Sequence, residues 1–114
     1  MSSTQYRKYL LTIQNPIERG FDHETIKDIL ASMNVSYYCM ADELATTGTV
    51  HTHVFFERKG AIRVDTVRRK FPGCHYDNCY GSCKENRDYV RKDGKWAGTD
   101  KAETSIPGTF EEFG

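Results

Sequence analysis

The order in which strand-like and helix-like segments follow one another limits the fold of this chain more than any other feature. Alternating apolar and polar residues predict strands, and apolar residues three or four positions apart predict helices. Seven segments result, namely strands at 6–14, 35–43, 49–57 and 74–77, and helices after Asp22, at 61–71 and from Ser82. The predicted order is therefore β-α-β-β-α-β-α.

Residues at the helix starts support this order. Asp22 is a suitable N-cap, and the helix after it carries one apolar stripe formed by Ile26, Ile29, Leu30 and Met33. Ser82 and Glu85 have the S-x-x-E spacing of a capping box, which marks the start of the last helix.

This order is typical of ferredoxin-like or RRM-like α+β domains. We expect a central antiparallel sheet of four to five strands, with helices mainly on one face and the other face available to a ligand. RRM modules use this arrangement to bind single-stranded RNA. The fold alone does not decide the function.

The length of 114 residues corresponds to one domain. We place this domain at 1–99 and interpret 100–114 as a polar, acidic tail or linker that leads to a C-terminal domain. No apolar stretch approaches the roughly 20 residues needed to cross a bilayer, so a membrane protein is not expected. The chain has no G-x-x-x-x-G-K-[ST] motif, so these residues alone are not expected to unwind DNA with ATP.

Basic residues are concentrated in one part of an otherwise neutral chain. Lysine plus arginine and aspartate plus glutamate number 16 each, but six basic residues fall between positions 58 and 70: Arg58, Lys59, Arg63, Arg68, Arg69 and Lys70. A solvated helix face is the ordinary interpretation of such a run. A local patch that binds phosphate is the alternative.

The four cysteines, Cys39, Cys74, Cys79 and Cys83, also allow two interpretations. No secretory signal is evident, so we expect a reducing compartment in which disulfides are rare. The last three and His75 lie close enough in sequence to suggest zinc, but they lack the C-x2-C pair typical of structural sites. Scattered reduced thiols are the favoured interpretation.

Two histidines alternate with core residues in the third strand. His51 and His53 are two positions apart, so both imidazoles leave the same face of the sheet, while Thr52 points the other way. Glu43 ends the preceding strand, and antiparallel pairing brings its carboxylate near His51; the adjacent Asp42 points to the opposite face. The set suits Mn²⁺, Mg²⁺ or Zn²⁺. An ordinary solvated acid at a hairpin corner is the alternative for Glu43.

A tyrosine and a lysine lie on one face of the last predicted helix. Tyr89 and Lys92 are three residues apart in a strongly polar neighbourhood, which argues against a core role for the tyrosine. A phenol with a pKa of about 10 is a poor nucleophile unless a cation and a metal-activated electrophile are close. A surface hydrogen-bonding tyrosine is the alternative.

Three short motifs carry a resemblance to a known family. The segment 11–16 (L-T-I-Q-N-P) resembles the circovirus pattern F-T-L-N-N-P, His51-Thr52-His53 resembles the His-hydrophobe-His signature, and 89–94 (Y-V-R-K-D-G) matches Y-x-x-K-x-G. In this order they resemble the HUH endonucleases, the Rep proteins that initiate rolling-circle replication of plasmids and single-stranded DNA viruses. The spacing of eight residues from Glu43 to His51 resembles that in geminivirus Rep proteins. Thr52 departs mildly from the signature, which usually has an apolar residue between the two histidines.

The resemblance implies a role for each matched residue. Glu43, His51 and His53 would hold one Mn²⁺ or Mg²⁺ ion. Tyr89 would attack the scissile phosphate of a replication origin, which leaves a 5′-phosphotyrosine and a free 3′-OH, and a later 3′-OH attack would rejoin the strand. Lys92 would lie near the phosphate or the developing tyrosinate.

The resemblance also implies nucleic-acid contacts and partners. Basic, polar and aromatic side chains are predicted to bind DNA at Thr12, Gln14, Asn15, Arg58, Lys59, Arg68, Arg69, His75 and Tyr80. His75 as a structural histidine is an equal alternative. The expected partners are single-stranded DNA at a stem-loop origin and the host replication machinery and helicase, and the full-length protein could form oligomers. An intracellular location follows, in a host nucleus or a bacterial cytoplasm.

Two other functions compete with this interpretation. A non-catalytic module that binds single-stranded nucleic acid would explain the sheet and the basic run, but it leaves the motif residues unexplained. An HUH transposase or a conjugative relaxase would share the chemistry. Relaxases usually carry three histidines and an N-terminal catalytic tyrosine, so the order of motifs favours a replication initiator.

Overall fold

A computed structural model describes residues 4–79, 81–92 and 103–114. Its elements in chain order are β1 (Gln5–Gln14), α1 (His23–Ser32), β2 (Tyr37–Ala45), β3 (Val50–Arg63), α2 (Val64–Lys70), β4 (His75–Asn78), α3 (Cys83–Arg91), β5 (Glu103–Ser105) and β6 (Glu111–Phe113). The first seven follow the predicted β-α-β-β-α-β-α order, which confirms the α+β fold.

One antiparallel sheet organises the molecule. Its strands run in the order β4-β1-β3-β2-β5, and β6 pairs with β2 farther along the same edge. The long central strand β3 lies between β1 and β2, so residues from all three strands meet across the middle of the sheet. This placement determines where the candidate site forms.

The main core lies on one face of the sheet, beneath α1 and α2. Ile26 and Leu30 of α1 and Val67 of α2 are buried there against Tyr9 and Phe56 of the sheet. The Tyr9 hydroxyl donates to the carbonyl of Ile62, and burial raises the pKa of Tyr9 to about 12.

The last helix, α3, packs on the opposite face. Val90 of α3 is fully buried against Phe55, Cys39 and Ala41, which form a second and smaller core. Two of the three helices in the described residues therefore share one face, in line with the predicted arrangement. The third, α3, covers part of the other face.

Residues 61–63 differ from the prediction. We expected a helix from 61 to 71, but β3 continues to Arg63, and α2 begins at Val64. The reason is pairing with the start of the chain, since Gln5 and Tyr6 lie opposite Arg63 and Ile62. Pairing with β1 and burial of Ile62 override the local helical pattern.

Two short strands lie within the segment 100–114, which the sequence analysis interpreted as a tail or linker. Residues Glu103–Ser105 and Glu111–Phe113 pair with β2 and extend the sheet, so these parts of the tail belong to the fold. A sheet edge leaves backbone N–H and C=O groups unpaired, and an added strand satisfies them. The proposed division of the chain at residue 99 stays a prediction.

Candidate metal and nucleophile site

Strand register brings the predicted metal ligands together. His51 lies opposite Glu43 of β2 on one side and Gln14 of β1 on the other, and His53 lies opposite Thr12. Because side chains two apart on a strand share a face, all of these residues project from the face that carries α3. The register predicted for Glu43 and His51 is thus the observed one.

The three ligand side chains converge on one point. One carboxylate oxygen of Glu43, Oε2, lies 3.0 Å from His51 Nε2 and 2.7 Å from His53 Nε2. Their ligand atoms all lie within 4.8 Å of one another, and each residue is buried. Ligands about 2.1 Å from an ion and at right angles around it are about 3 Å apart. The geometry therefore fits a single divalent ion bound by two imidazoles and a carboxylate.

Lys92 and Tyr89 adjoin this cluster. The ammonium of Lys92 lies 2.9 Å from Glu43 Oε1 and 4.1 Å from the centre of the Tyr89 ring. The Tyr89 ring meets the His53 ring edge to face, with 5.5 Å between centroids. The structure thus brings together the three predicted metal ligands and the two predicted catalytic residues, around one buried carboxylate.

Local structure explains how Lys92 reaches the site. The predicted capping box is present, since Ser82 accepts from the Glu85 amide and Glu85 from that of Ser82, and it sets the start of α3. The helix ends at Arg91, and Lys92 has a left-handed backbone with φ of 59°. Lys92 therefore meets Tyr89 from just beyond the helix, rather than from the same helical face.

Thr12 contacts a metal-ligand candidate, although the sequence assigned it to DNA. Its hydroxyl lies 3.3 Å from Nδ1 of His53, while Nε2 of that ring faces Glu43. Histidines that bind metals usually donate their other ring N–H to a fixed acceptor, which sets the orientation of the ring. Motif spacing gave no signal for this contact, but the register of β1 and β3 reveals it.

A polar network on the other face explains the threonine in the His-Thr-His motif. Thr52 is fully buried, and its hydroxyl donates to Asp42 Oδ1 at 2.7 Å. His23 Nε2 lies 2.8 Å from the same carboxylate oxygen. Asp42 points away from the metal ligands, as its position in the strand predicts.

Some of the predicted DNA contacts share the face of the metal ligands. His75 lies opposite Thr12 in β4, its side chain is 68% exposed, and its Nε2 is 2.9 Å from Asp77 Oδ1. Gln14 is exposed at the end of β1, and Asn15 follows with a left-handed φ of 48°. These residues border the part of the sheet that α3 does not cover.

The basic run is not brought to the metal ligands. The guanidinium of Arg58 donates to the carbonyls of Met33, Gly60 and Ala61, so it supports the backbone where β3 is irregular. Lys59 is exposed in the same part of β3.

The other two predicted basic contacts lie on α2, which packs on the opposite face of the sheet. Arg68 lies over the Tyr76 ring, 5.4 Å from its centre, and Arg69 is exposed beside it. Tyr80 lies outside the described residues.

The cysteines take no part in the metal-ligand cluster. Within the described ranges, Glu43, His51 and His53 form the group that could hold an ion. Cys79 instead contacts Asn86, Cys83 contacts Glu57, and burial raises the pKa of both thiols to about 11.

No helix in the described part of the chain is long and apolar enough to span a membrane.

Comparisons with known proteins agree with the geometry. The family model described as "Putative viral replication protein" matches residues 6–93, a range that includes all five clustered residues. Para-Rep C2 of Subterranean clover stunt C2 alphasatellite is 32% identical over 88 residues, which cover 76% of this chain and 31% of that protein. The chain thus spans about a third of the length of this relative.

Proposed function

The chain belongs to the viral replication protein family, the Rep proteins that initiate rolling-circle replication, and we propose that it nicks and rejoins single-stranded DNA at a replication origin. The observation that carries this proposal is the convergence of Tyr89 and Lys92 on the cluster of Glu43, His51 and His53. A binding module without catalysis would need no such cluster.

The metal ligands prepare the site for a phosphodiester. Glu43, His51 and His53 would hold one Mn²⁺ or Mg²⁺ ion, which when bound would polarise the scissile phosphate and offset charge on its oxygens. Three protein ligands leave coordination positions for water or a phosphate oxygen. Buried walls around the cluster strengthen the electrostatic interactions within it.

Tyr89 is the nucleophile in this proposal. Its hydroxyl oxygen forms a bond to phosphorus while the bond from phosphorus to the 3′ oxygen breaks, which gives a 5′-phosphotyrosine and a free 3′-OH. The phenol loses one proton and the departing oxygen gains one, so protons balance. The ammonium of Lys92, 4.1 Å from the ring centre, stabilises the developing phenolate. Attack by a 3′-OH on the phosphotyrosine reverses the step and rejoins the strand.

We propose that the single strand crosses β1 and β4, where α3 does not cover the face that carries the cluster. Gln14, Asn15 and His75 border this path. Arg68 and Arg69 lie on α2, on the opposite face of the sheet, so they would reach only flanking DNA. The three carbonyls that Arg58 binds favour a structural role for that residue.

The biological setting follows from the same proposal. A stem-loop origin would present the strand to be cut, and host replication machinery with a helicase would extend and unwind it. The protein would act inside the cell, in a host nucleus for a virus or in the cytoplasm for a bacterial plasmid. Oligomers could form in the full-length protein.

A covalent-adduct experiment tests the proposal. The protein is incubated with Mn²⁺ and single-stranded oligonucleotides that carry candidate stem-loops, and a denaturing gel is run with an EDTA sample alongside. We expect a band shifted by the mass of a DNA fragment that is absent with EDTA. DNA binding without an adduct on any oligonucleotide would instead favour the non-catalytic module.

Replacing Thr12 by valine is expected to weaken Mn²⁺ binding about 10- to 100-fold, the usual effect of losing a partner of a ligand histidine. The substitution removes the hydroxyl that contacts His53 Nδ1 and preserves the shape of the side chain. Isothermal titration with Mn²⁺ measures the change, and Thr12→Ser should retain the affinity. If Thr12→Val leaves the affinity for Mn²⁺ unchanged and lowers the affinity for DNA measured in EDTA, the DNA contact predicted from the sequence is correct instead.

A further inference from the structure

The C-terminal segment connects the two faces of the sheet. β6 pairs with β2 at Tyr38–Met40, and successive residues of a strand point to opposite faces. Glu111 accordingly reaches α1, where its carboxylate accepts from Lys27 at 2.7 Å and lies against His23. Glu112 reaches α3 on the other face, where it pairs with Arg87.

Glu112 and Phe110 contact two arginines of α3, Arg87 and Arg91. The Glu112 carboxylate also accepts from the Tyr37 hydroxyl at 2.6 Å. Hydrogen bonds from the Arg87 guanidinium and from Tyr37 hold the pKa of that carboxyl below its usual value. The Phe110 ring lies under two guanidinium groups, 5.5 Å from that of Arg87 and 4.8 Å from that of Arg91.

The composition of α3 explains why such contacts matter. The helix has nine residues, fewer than an isolated helix needs to be stable in water. Val90 is its one fully buried apolar side chain, and Tyr89 and Cys83 are only half-buried. Packing on the sheet is therefore limited, although this helix carries Tyr89 and sets the position of Lys92.

We propose that Phe110 and Glu112 are positioning residues for the nucleophile, because they tether Arg87 and Arg91 and so hold α3 and Tyr89 against the metal ligands. This inference rests on the proposed function, in which Tyr89 attacks the phosphate. It also makes the C-terminal segment part of the endonuclease rather than a linker. A partner that displaced this segment from β2 would slow the chemical step without touching the metal site.

Glu112→Gln and Phe110→Ala are the test variants, and Glu111→Gln is the matched control. The control makes the same substitution on the same strand but removes a tether to α1 instead of α3. The readouts are the rate constant and final yield of the covalent adduct at saturating DNA and Mn²⁺, and hydrogen exchange of the α3 amides. The rate constant reports how well Tyr89 is positioned, whereas the yield reports the folded fraction.

We expect both test variants to lower the rate constant about three- to tenfold, a modest misplacement of the nucleophile. The yield and Mn²⁺ affinity should stay unchanged, and exchange of the α3 amides should speed up. Glu111→Gln should leave the rate constant as it is. Arg87→Glu combined with Glu112→Arg should restore part of the rate, because the swapped pair re-forms the ion pair but not the contact of residue 87 with the Phe110 ring.

Three results would overturn the inference. The first is an unchanged rate constant in both test variants. The second is a rate constant that falls as much in Glu111→Gln as in the test variants. The third is a lower adduct yield in the test variants with an unchanged rate constant. The absence of any adduct from the unmodified protein would overturn the proposed function instead. In that case, exchange in α3 would still show whether Glu112 and Phe110 hold the helix.

Discussion

Tyr89→Phe is expected to abolish the covalent protein–DNA adduct and to lower origin cleavage by on the order of a thousandfold or more, as removal of a nucleophile does in other enzymes. The substitution removes one oxygen atom. The ring that packs edge to face on His53 and lies beside the Lys92 ammonium remains in place. The loss should therefore be chemical, with the fold and Mn²⁺ affinity unchanged.

The measurement is a denaturing gel of the Mn²⁺ reaction, with melting temperature and Mn²⁺ titration as checks on the variant. Tyr6→Phe is the matched control, because Tyr6 is a partly exposed tyrosine at the start of β1. An adduct that persists in Tyr89→Phe would identify another nucleophile. Cleavage that continues without an adduct would point to attack by water and contradict the phosphotyrosine mechanism.

The convergence of Glu43, His51 and His53 could be predicted because its geometry depends on local regularities. Side chains alternate along a strand, so the step from His51 to His53 determines a shared face. A short hairpin then fixes the register, and Glu43 is observed opposite His51. Both rules operate within about ten residues, a range over which sequence patterns are informative.

Contacts between distant segments could not be predicted in the same way. No local pattern shows that Ile62 pairs with Tyr6, or that β6 pairs with β2, and these pairings decide whether a segment is helix, strand or linker. The basic run shows the same limit. Arg58 binds the carbonyls of Gly60 and Ala61 nearby and of Met33 at the end of α1, whereas Arg68 lies on a helix on the opposite face from Glu43, His51 and His53.

Sequence position alone also did not show which groups Thr12 contacts or how Lys92 reaches Tyr89. Thr12 belongs to a motif that the resemblance links to DNA, yet its hydroxyl contacts His53. Lys92 was expected to share a helical face with Tyr89, but it approaches from a left-handed residue beyond the helix. In both cases the contact with the cluster depends on the tertiary structure, and the roles predicted for Thr12 and Lys92 stay predictions.

His51→Gln is expected to weaken Mn²⁺ binding strongly and, with it, adduct formation. A ligand that binds only the folded state stabilises it by RT ln(1 + [L]/Kd), or about 2.7 kcal/mol at a hundred times the Kd. The unmodified protein should therefore melt at a higher temperature with Mn²⁺ than with EDTA. Loss of one of the three ligands should weaken Mn²⁺ affinity at least about a hundredfold, because losing a residue that only contacts a ligand already costs about 10- to 100-fold. Most of the rise in melting temperature with Mn²⁺ should therefore disappear.

The matched control is His23→Gln, which replaces an imidazole on the other face of the sheet, where it contacts Asp42. His23→Gln is allowed a lower melting temperature in EDTA. The increase in its melting temperature on adding Mn²⁺ should equal that of the unmodified protein. Glu43→Gln should lose the Mn²⁺ shift and also be less stable in EDTA, by about 1–3 kcal/mol, because it removes the carboxylate charge beside the largely buried Lys92 ammonium. If His51→Gln kept the shift and His23→Gln lost it, the ion would bind on the face away from Tyr89, and the proposed nicking site would be wrong.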